Sequence, residues 1–167
     1  MEVDLRTLAL QNRRVSIRME QTADRMLAGT GLTAAQGNVL CFILEHGREG
    51  TSLTDIHREF GFSKATLCRI LKNLKGSGYL RVEPCPGDER RKLLFYIEKG
   101  GQIQAHLKEA TEQACRQAYR GFSQKDLEEM DRLQKQMMEN LSAQAPAWDT
   151  FERSEDFEER IAAAGAL

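Results

Sequence analysis

Two clusters of basic residues are the parts of this sequence whose residue types and spacing could do chemistry. In the first, "DERRK", two acids precede three adjacent cations directly after a Pro–Gly turn: Arg90, Arg91 and Lys92. In the second, from Gly61 to Leu80, there are four cations and no acid: Lys64, Arg69, Lys72 and Lys75. Such local clustering is typical of a surface that binds nucleic acid, and it is informative even though the net charge of the chain is -1.

Residues that catalysis or a metal site would require are scattered along the chain. The histidines and cysteines form no CxxC or Cys/His pair with metal-ligand spacing. There is no Ser/His/Asp arrangement, no catalytic spacing of paired carboxylates and no Gly-rich nucleotide-binding motif. We therefore expect no catalytic residue, no metal and no cofactor, and the chain is not predicted to be an enzyme. The residues concerned are His46, His57, His106, Cys41, Cys68, Cys85 and Cys115.

The composition predicts a soluble protein with a core of its own. With 167 residues, of which 41% are hydrophobic and 29% charged, the chain is long enough for one domain or for one domain with an extension. It contains no run of about 18 apolar residues, so no membrane span is expected. The N-terminal sequence "MEVDLRTLALQNRR" lacks the apolar core and cleavage site of a signal peptide, which favours a cytoplasmic location.

The segment "TSLTDIHREFGFSKATLCRILKNLKGSGYL" predicts two short helices joined by a tight turn. Ser52 is placed to cap a helix from Leu53 to Phe60, and Ser63 is placed to cap a second helix from Lys64 to about Lys75. Gly61 gives the three-residue connection a position that can adopt a positive φ. Two helices joined in this way are the helix-turn-helix pattern.

A helical wheel of the second helix separates an apolar face from a cationic one. At about 100° per residue, the large aliphatic side chains cluster on one side, opposite small and cationic residues. A solvated amphipathic helix with ordinary lysines would show the same pattern, but the glycine turn and the short preceding helix favour DNA recognition. The apolar face contains Leu67, Ile70, Leu71 and Leu74, and the opposite face contains Ala65, Cys68, Arg69 and Lys72.

A β-hairpin is predicted next, with strands from Tyr79 to Val82 and from Leu93 to Ile97. Pro84 and Pro86 in the connecting sequence "EPCPGDERRK" are expected to exclude ladder pairing there, and Gly87 permits the reversal. The basic tip is therefore predicted to be a protruding loop. A helix-turn-helix followed by a hairpin is a winged helix, in which the wing reaches the DNA beside the recognition helix.

Longer helices are predicted on both sides of the winged helix: Leu5 to Leu27, about Gln102 to Tyr119, and one capped by Ser123. Their apolar stripes exceed what a small winged helix can cover, which favours a dimerisation bundle over an intramolecular cap. The predicted fold class is mainly α with a small β-hairpin wing (α+β), a winged helix-turn-helix flanked by a helical dimerisation bundle. The predicted boundaries are 1–30 for the N-terminal dimerisation helix, 32–98 for the DNA-binding region, 99–143 for the C-terminal dimerisation helices and 144–167 for an acidic tail of open role.

The order of these elements resembles the MarR family of bacterial and archaeal transcriptional regulators. The resemblance covers roughly Leu5 to Leu141 and rests on "LTAAQGNVLCFI", the helix-turn-helix, "GYL" and "DERRKLLFYIEKG". It implies a homodimer whose recognition helices enter the major groove of double-stranded DNA at the two half-sites of a near-palindromic operator.

The resemblance also implies roles for individual residues. In the wing, Asp88 would brace the hairpin and Arg90 would enter the minor groove, whose negative potential attracts a guanidinium. Arg91 and Lys92 would then hold phosphates. In the recognition helix, Arg69 is the best candidate for a bidentate contact with guanine. The full set of implied DNA-binding residues is Ser63, Lys64, Ala65, Thr66, Cys68, Arg69, Lys72, Arg90, Arg91 and Lys92.

Three places depart from the pattern of the family, and one of them is the acidic tail from Ala145, whose role is open. Tyr96 and Ile97 replace the usual Leu–Thr pair, so the helix after the wing lacks its threonine cap. His57 stands where helix-turn-helix units usually carry alanine, which predicts either a looser crossing of the helices or an imidazole that points outward.

Three functions remain open from the sequence. The first is a repressor released by a small aromatic or carboxylate effector, with Arg13, Arg14 and Arg18 either pairing a carboxylate or simply solvated. The second is a thiol switch in which oxidation of Cys68 weakens DNA binding. The third is a winged helix that binds proteins and never touches DNA, which would not need the basic wing.

Overall fold

A computed structural model of the protein describes residues 3–46 and 49–142. Within these residues the chain forms a β-hairpin between helical segments, in the order that the sequence predicts. The fold is mainly α with a hairpin wing, which confirms the predicted fold class. The elements are α1 (Leu5–Leu27), a 3-10 turn (Ala28–Thr30), α2 (Ala34–Glu45), α3 (Leu53–Phe60), α4 (Lys64–Gly76), β1 (Leu80–Cys85), β2 (Asp88–Tyr96), α5 (Glu98–Ala118) and α6 (Gln124–Leu141).

Side-chain caps determine where most of these helices begin. Thr33 and Gln36 form a reciprocal capping box at the start of α2, and Ser52 and Asp55 form another at α3. These boxes satisfy backbone N–H groups that have no partner within the first turn of a helix. Capping residues can be recognised in the sequence, so helix starts can be predicted from them. The predicted bounds of α3 and of α1 are both confirmed.

One hydrophobic core lies between α2, the helix-turn-helix, the hairpin and the first half of α5. Burying one large aliphatic side chain stabilises a fold by about 1.5–3 kcal/mol, so this core holds α4 firmly against α2 and β1. α1 packs along α5 on the other side of the molecule. The side chains at the centre of the core are at most 1% exposed: Leu40, Ile43, Ile56, Leu67, Leu71, Leu74, Leu94 and Leu107.

The hairpin is longer than predicted. β1 pairs with β2 in antiparallel register as far as Pro84, which lies opposite Lys92, and the turn contains only Pro86 and Gly87. The prediction that the prolines exclude pairing is confirmed for Pro86, which lies in the turn, but was wrong for Pro84. Pro84 lies in an edge strand beside a register shift, where a missing N–H costs no ladder bond. The basic residues after the turn therefore belong to a strand and not to a loose loop.

A short bridge fastens the hairpin to the segment before α3. The N–H of Thr51 donates to the carbonyl of Leu94 at 3.0 Å, and the N–H of Leu94 donates back to the carbonyl of Thr51 at 2.9 Å. The preceding residue, Gly50, has a φ of 77°, and a Cβ there would lie 2.6 Å from the ring of Phe95. Gly50 thus lets the chain pass close beneath the wing.

We expect Gly50→Ala to lower the free energy of unfolding by about 1–3 kcal/mol, because it combines a strained φ with a steric clash. Denaturant unfolding followed by circular dichroism measures this change. Gly29→Ala is the matched control, since a Cβ there meets no atom within 4 Å and φ is not positive. Equal effects of the two substitutions would contradict the assigned role of Gly50.

α5 begins at Glu98, four residues before the predicted Gln102. The prediction was wrong because Gly100 and Gly101 resemble helix breakers, whereas Gly100 lies inside the helix, where a Cβ would be 3.0 Å from the carbonyl oxygen of Tyr79. Its N-cap, Ile97, makes no side-chain capping hydrogen bond, as the departure from the family pattern indicates. Close approach of the backbones thus explains the glycine.

α6 contributes no side chain to the core. None of its residues is buried, and several large apolar side chains on it are exposed. α1 likewise exposes apolar side chains along most of its length. The exposed apolar residues of the two helices are Leu5, Leu8, Leu10, Val15, Ile17, Leu133, Met137, Met138 and Leu141.

No single helix among the described residues is long and apolar enough to cross a membrane. α1 and α2 reach such a length only when they are taken together, and the chain bends by 77° between them. The predicted acidic tail, 144–167, lies outside the described residues.

Candidate nucleic-acid interface

The turn between α3 and α4 is fixed by hydrogen bonds from both sides. Gly61, at a φ of 67°, ends α3 and donates its N–H to the carbonyl of His57 at 2.7 Å. The ring of His57 lies with Nδ1 2.9 Å from the carbonyl oxygen of Phe62, to which Nδ1–H donates. The half-buried imidazole therefore ties the turn together and does not point outward. Its role as a turn anchor was missed from the sequence.

The N-terminus of α4 is capped and exposed. The hydroxyl of Ser63 accepts the N–H of Thr66 at 3.2 Å, and the two side-chain oxygens are 2.9 Å apart. A helix N-terminus carries a partial positive charge, which favours a nearby phosphate. Ser63 is thus placed where a phosphate contact at this end of α4 requires it.

α4 presents a narrow polar face to solvent. Arg69 and Lys72 are exposed on this face together with Ala65 and Asn73, while Lys64, Thr66 and Lys75 are half-buried beside it. Between Gly61 and Leu80 no carboxylate competes with these cations. The face combines long cationic side chains with a small one that lets the backbone come close to a partner.

Cys68 does not lie on that face. It is 7% exposed and belongs to the hydrophobic core, so the prediction that it faces outward was wrong. It lies only about 60° around the helix from Leu71, and the packing of α4 covers more of its circumference than the wheel implied. The burial of the thiol removes the structural basis for a switch that acts through Cys68.

The wing carries its basic residues on β2. Asp88, Arg91 and Lys92 are half-buried, with Asp88 at the first position of the strand. The side chain of Arg90 lies outside the described part of the chain, so its insertion into the minor groove stays a prediction. Arg81 on β1 is already engaged, because it pairs with Glu83 and donates to the carbonyl of Tyr96 at 3.2 Å.

Cys41 lies beside the ion pair of Glu45 and Lys108. Burial, reinforced by the charge of Glu45, raises the pKa of Cys41 to about 11, while Lys108 opposes the shift. Cys41 is therefore a protonated thiol at neutral pH and a poor nucleophile. Within residues 3–46 and 49–142, no group of three or more His, Cys, Asp or Glu side chains is placed to hold a metal ion.

The helix-turn-helix and the start of the wing match a known sequence family. Residues 30–91, from the end of the 3-10 turn into β2, match a sequence model of the MarR family. This region of the chain is similar in sequence to the MarR family. No curated protein matches the sequence.

Solved structures of MarR-like regulators share the fold. A SlyA-like transcription regulator from Listeria monocytogenes has 22% identity and a TM-score of 0.69, over 84% of this chain and 90% of that one. BpsR of Bordetella bronchiseptica, whose DNA binding is regulated by 6-hydroxynicotinic acid, has 22% identity and a TM-score of 0.70, over 82% and 97%. A mutant MarR from E. coli complexed with operator DNA has 19% identity and a TM-score of 0.70, over 81% and 99%.

Proposed function

We propose that this protein is a sequence-specific DNA-binding transcriptional regulator that acts as a homodimer and represses until a small molecule releases it. The observation that carries the proposal is the exposed, acid-free face of α4 that contains Arg69 and Lys72. A face of this kind, on a helix braced against a winged-helix core, suits insertion into the major groove. The MarR family match supports the same function.

We assign the individual contacts as follows. Arg69 reads a base edge, and Ser63, Lys72, Arg91 and Lys92 hold phosphates. Lys64, Ala65 and Thr66 border the base edges at the start of the helix. Cys68 contributes by packing and not by contact, whereas Arg90 enters the minor groove and Asp88 braces the wing. These assignments combine the exposure of the side chains with the resemblance to the family.

The homodimer rests on the apolar surfaces of α1 and α6. Within the monomer α6 buries nothing, yet Leu133 and Met137 lie on one side of it and are 46% and 48% exposed. Exposed apolar surface of this extent marks an interaction site. We therefore assign residues 1–30 and 99–143 to dimerisation and 32–98 to DNA binding. A two-fold symmetric protein would read a near-palindromic operator.

Release by a ligand is the regulatory part of the proposal. BpsR, which shares the fold, is regulated in its DNA binding by a small aromatic acid. A ligand acts in this way when it binds better to an arrangement of the two winged helices that does not fit the operator. Nothing in the described residues favours the alternative of a protein-binding module, which would have no use for a cationic recognition face.

The function is tested by selecting bound sequences from a random DNA duplex library with the wild type and with Arg90→Ala. We expect an enriched inverted repeat for the wild type, and a weaker preference at the positions flanking each half-site for the variant. Binding without enrichment, with an affinity that depends only on salt, would contradict sequence-specific regulation.

A further inference from the structure

A groove of about 450 Å³ opens between α2, α3 and α5. It therefore lies where the first helix of the helix-turn-helix faces the long helix of the bundle. The exposed apolar side chains assigned to dimerisation are on α1 and α6 and do not line it. The groove is therefore distinct from the exposed apolar surfaces of those two helices.

Aromatic rings form one wall of the groove. Phe42 of α2 and Phe60 of α3 are half-buried and meet edge to face, with ring centroids 5.7 Å apart. Phe62 stacks on Phe60, also with ring centroids 5.7 Å apart, so the position of that ring is supported by packing. A supported pair of rings favours a flat, apolar or aromatic guest.

The charges around the groove are mostly negative. Three carboxylates and one ammonium group line it, one or two from each helix: Glu45, Glu59, Lys108 and Glu112. Lys108 pairs with Glu45 at 3.2 Å, and Glu112 pairs with Arg116, which lies outside the lining, at 3.1 Å. Glu59 makes no ion pair with any other described residue and adjoins Phe60 in the chain. Within the described residues, its carboxylate therefore adds a negative charge at the aromatic wall that no ion pair offsets.

The other described side chains around the groove make no ion pair with Glu59. The ring of His46 lies over Phe42 with centroids 4.2 Å apart, and its Nδ1 bonds the carbonyl of Phe42 at 2.8 Å. Cys41 lines the groove as a neutral thiol. Asn38 accepts a hydrogen bond from Thr111 at 3.2 Å across the floor and adds no charge.

We propose that this groove binds a small organic cation with a flat aromatic body, and that this cation is the effector of the regulator. Ring faces and a carboxylate together attract a cation whose apolar part the groove can cover. The inference rests on the proposed regulatory function, and it reverses the charge that the family resemblance implied. A carboxylate effector would meet three carboxylates and only one ammonium group in the described lining and be repelled.

A second groove, between α1 and α5, has the opposite character. It is lined by Arg18 and Arg25 and has a volume of about 560 Å³, which would suit an anion. It also includes Val15, which is 55% exposed and belongs to the apolar face that we assign to dimerisation. We therefore place the effector in the groove between α2, α3 and α5.

Occupancy of the groove acts on the helix-turn-helix through α3. Phe60 is the last residue of α3, next to the Gly61 turn that positions α4. A guest that contacts both Phe60 and Lys108 or Glu112 would favour one spacing between α3 and α5. If that spacing places the two recognition helices at a separation that does not fit the operator, operator affinity falls. The size of the loss is limited by how much more tightly the ligand binds that spacing than the DNA-binding one.

The test uses three probes with one ring system: naphthalen-2-ylmethylammonium, naphthalen-2-ylmethanol and 2-naphthoate. Titration of the full chain by isothermal calorimetry should give about tenfold tighter binding of the cation than of the neutral alcohol. Glu59→Gln should weaken binding of the cation about threefold and leave binding of the alcohol unchanged. Glu128→Gln on α6 removes an equal charge far from the groove and should change neither.

Tighter binding of 2-naphthoate than of the cation, or equal binding of all three probes, would overturn the inference. So would a cation affinity that Glu59→Gln leaves unchanged in a variant with wild-type circular dichroism. Operator binding by the ligand-free protein is measured separately. If the operator is bound and the cation is not, the inference fails and the proposed function stands. If no operator is selected while the cation binds, the proposed function fails, and only the binding of the cation to the groove stands.

Discussion

Replacing Leu133 and Met137 together by aspartate should yield a folded monomer that binds the selected operator at least about 100-fold more weakly than the wild type. The two side chains lie on the exposed apolar side of α6. Carboxylates there would be buried unpaired in the dimer, which is costly, whereas they are solvated in the monomer. A monomer also loses the gain in effective concentration that tethering two winged helices provides. Light scattering after size exclusion gives the mass, and fluorescence anisotropy gives the operator affinity.

The matched control for charge is the double variant Arg132→Gln and Lys135→Gln. It lowers the net charge by the same two units but on the polar side of α6, where the side chains pair with Glu129 and Asp131. Exposed pairs of this kind contribute little to stability, so the control should remain dimeric. A dimeric aspartate variant with full operator affinity would show that the dimer forms through other surfaces, or that one copy suffices.

The helix-turn-helix could be predicted closely because its signals are local. Ser52 and Ser63 cap their helices by bonding N–H groups three residues away, and Gly61 adopts the positive φ that its residue type permits. Such features depend on a few neighbouring residues and hardly on the rest of the fold. The family resemblance could be recognised for the same reason, since its motifs consist of these caps, turns and strand ends.

The wrong predictions concern residues whose structure depends on contacts with distant parts of the chain. Cys68 is buried because neighbouring elements pack over it, and a helical wheel carries no information about those neighbours. Gly100 lies inside α5 because the backbone of Tyr79 passes 3.0 Å from the position of its missing Cβ. Pro84 is tolerated in β1 because that strand lies at an edge. The groove between α2, α3 and α5 could not be predicted from the sequence, since its lining residues come from three helices that are separated along the chain.

Arg69→Ala should lower affinity for the selected operator about 100-fold, or about tenfold for each of two half-sites, and relax the preference at one base pair in each. Arg69 is exposed on the polar face of α4. A guanidinium there can donate two hydrogen bonds to one guanine, and alanine leaves those acceptors with water that the interface partly excludes. Repeating the library selection with the variant identifies the relaxed positions, and anisotropy on the wild-type operator measures the loss.

Lys72→Ala distinguishes base reading from phosphate binding on the same face of α4. Lys72 is exposed close to Arg69, but we assign it to the backbone of the DNA. Its loss should lower the affinity for all DNA sequences alike. It should also reduce the slope of log affinity against log salt by about 2 for the dimer, since each phosphate contact contributes about 0.9.

Arg120→Ala is the control for charge. It lies beyond α5, at the end of that helix far from the wing, and should change neither affinity nor salt slope. If Arg69→Ala behaved like Lys72→Ala, with an unaltered selected motif, then α4 would hold the DNA without reading it, and specificity would have to come from the wing.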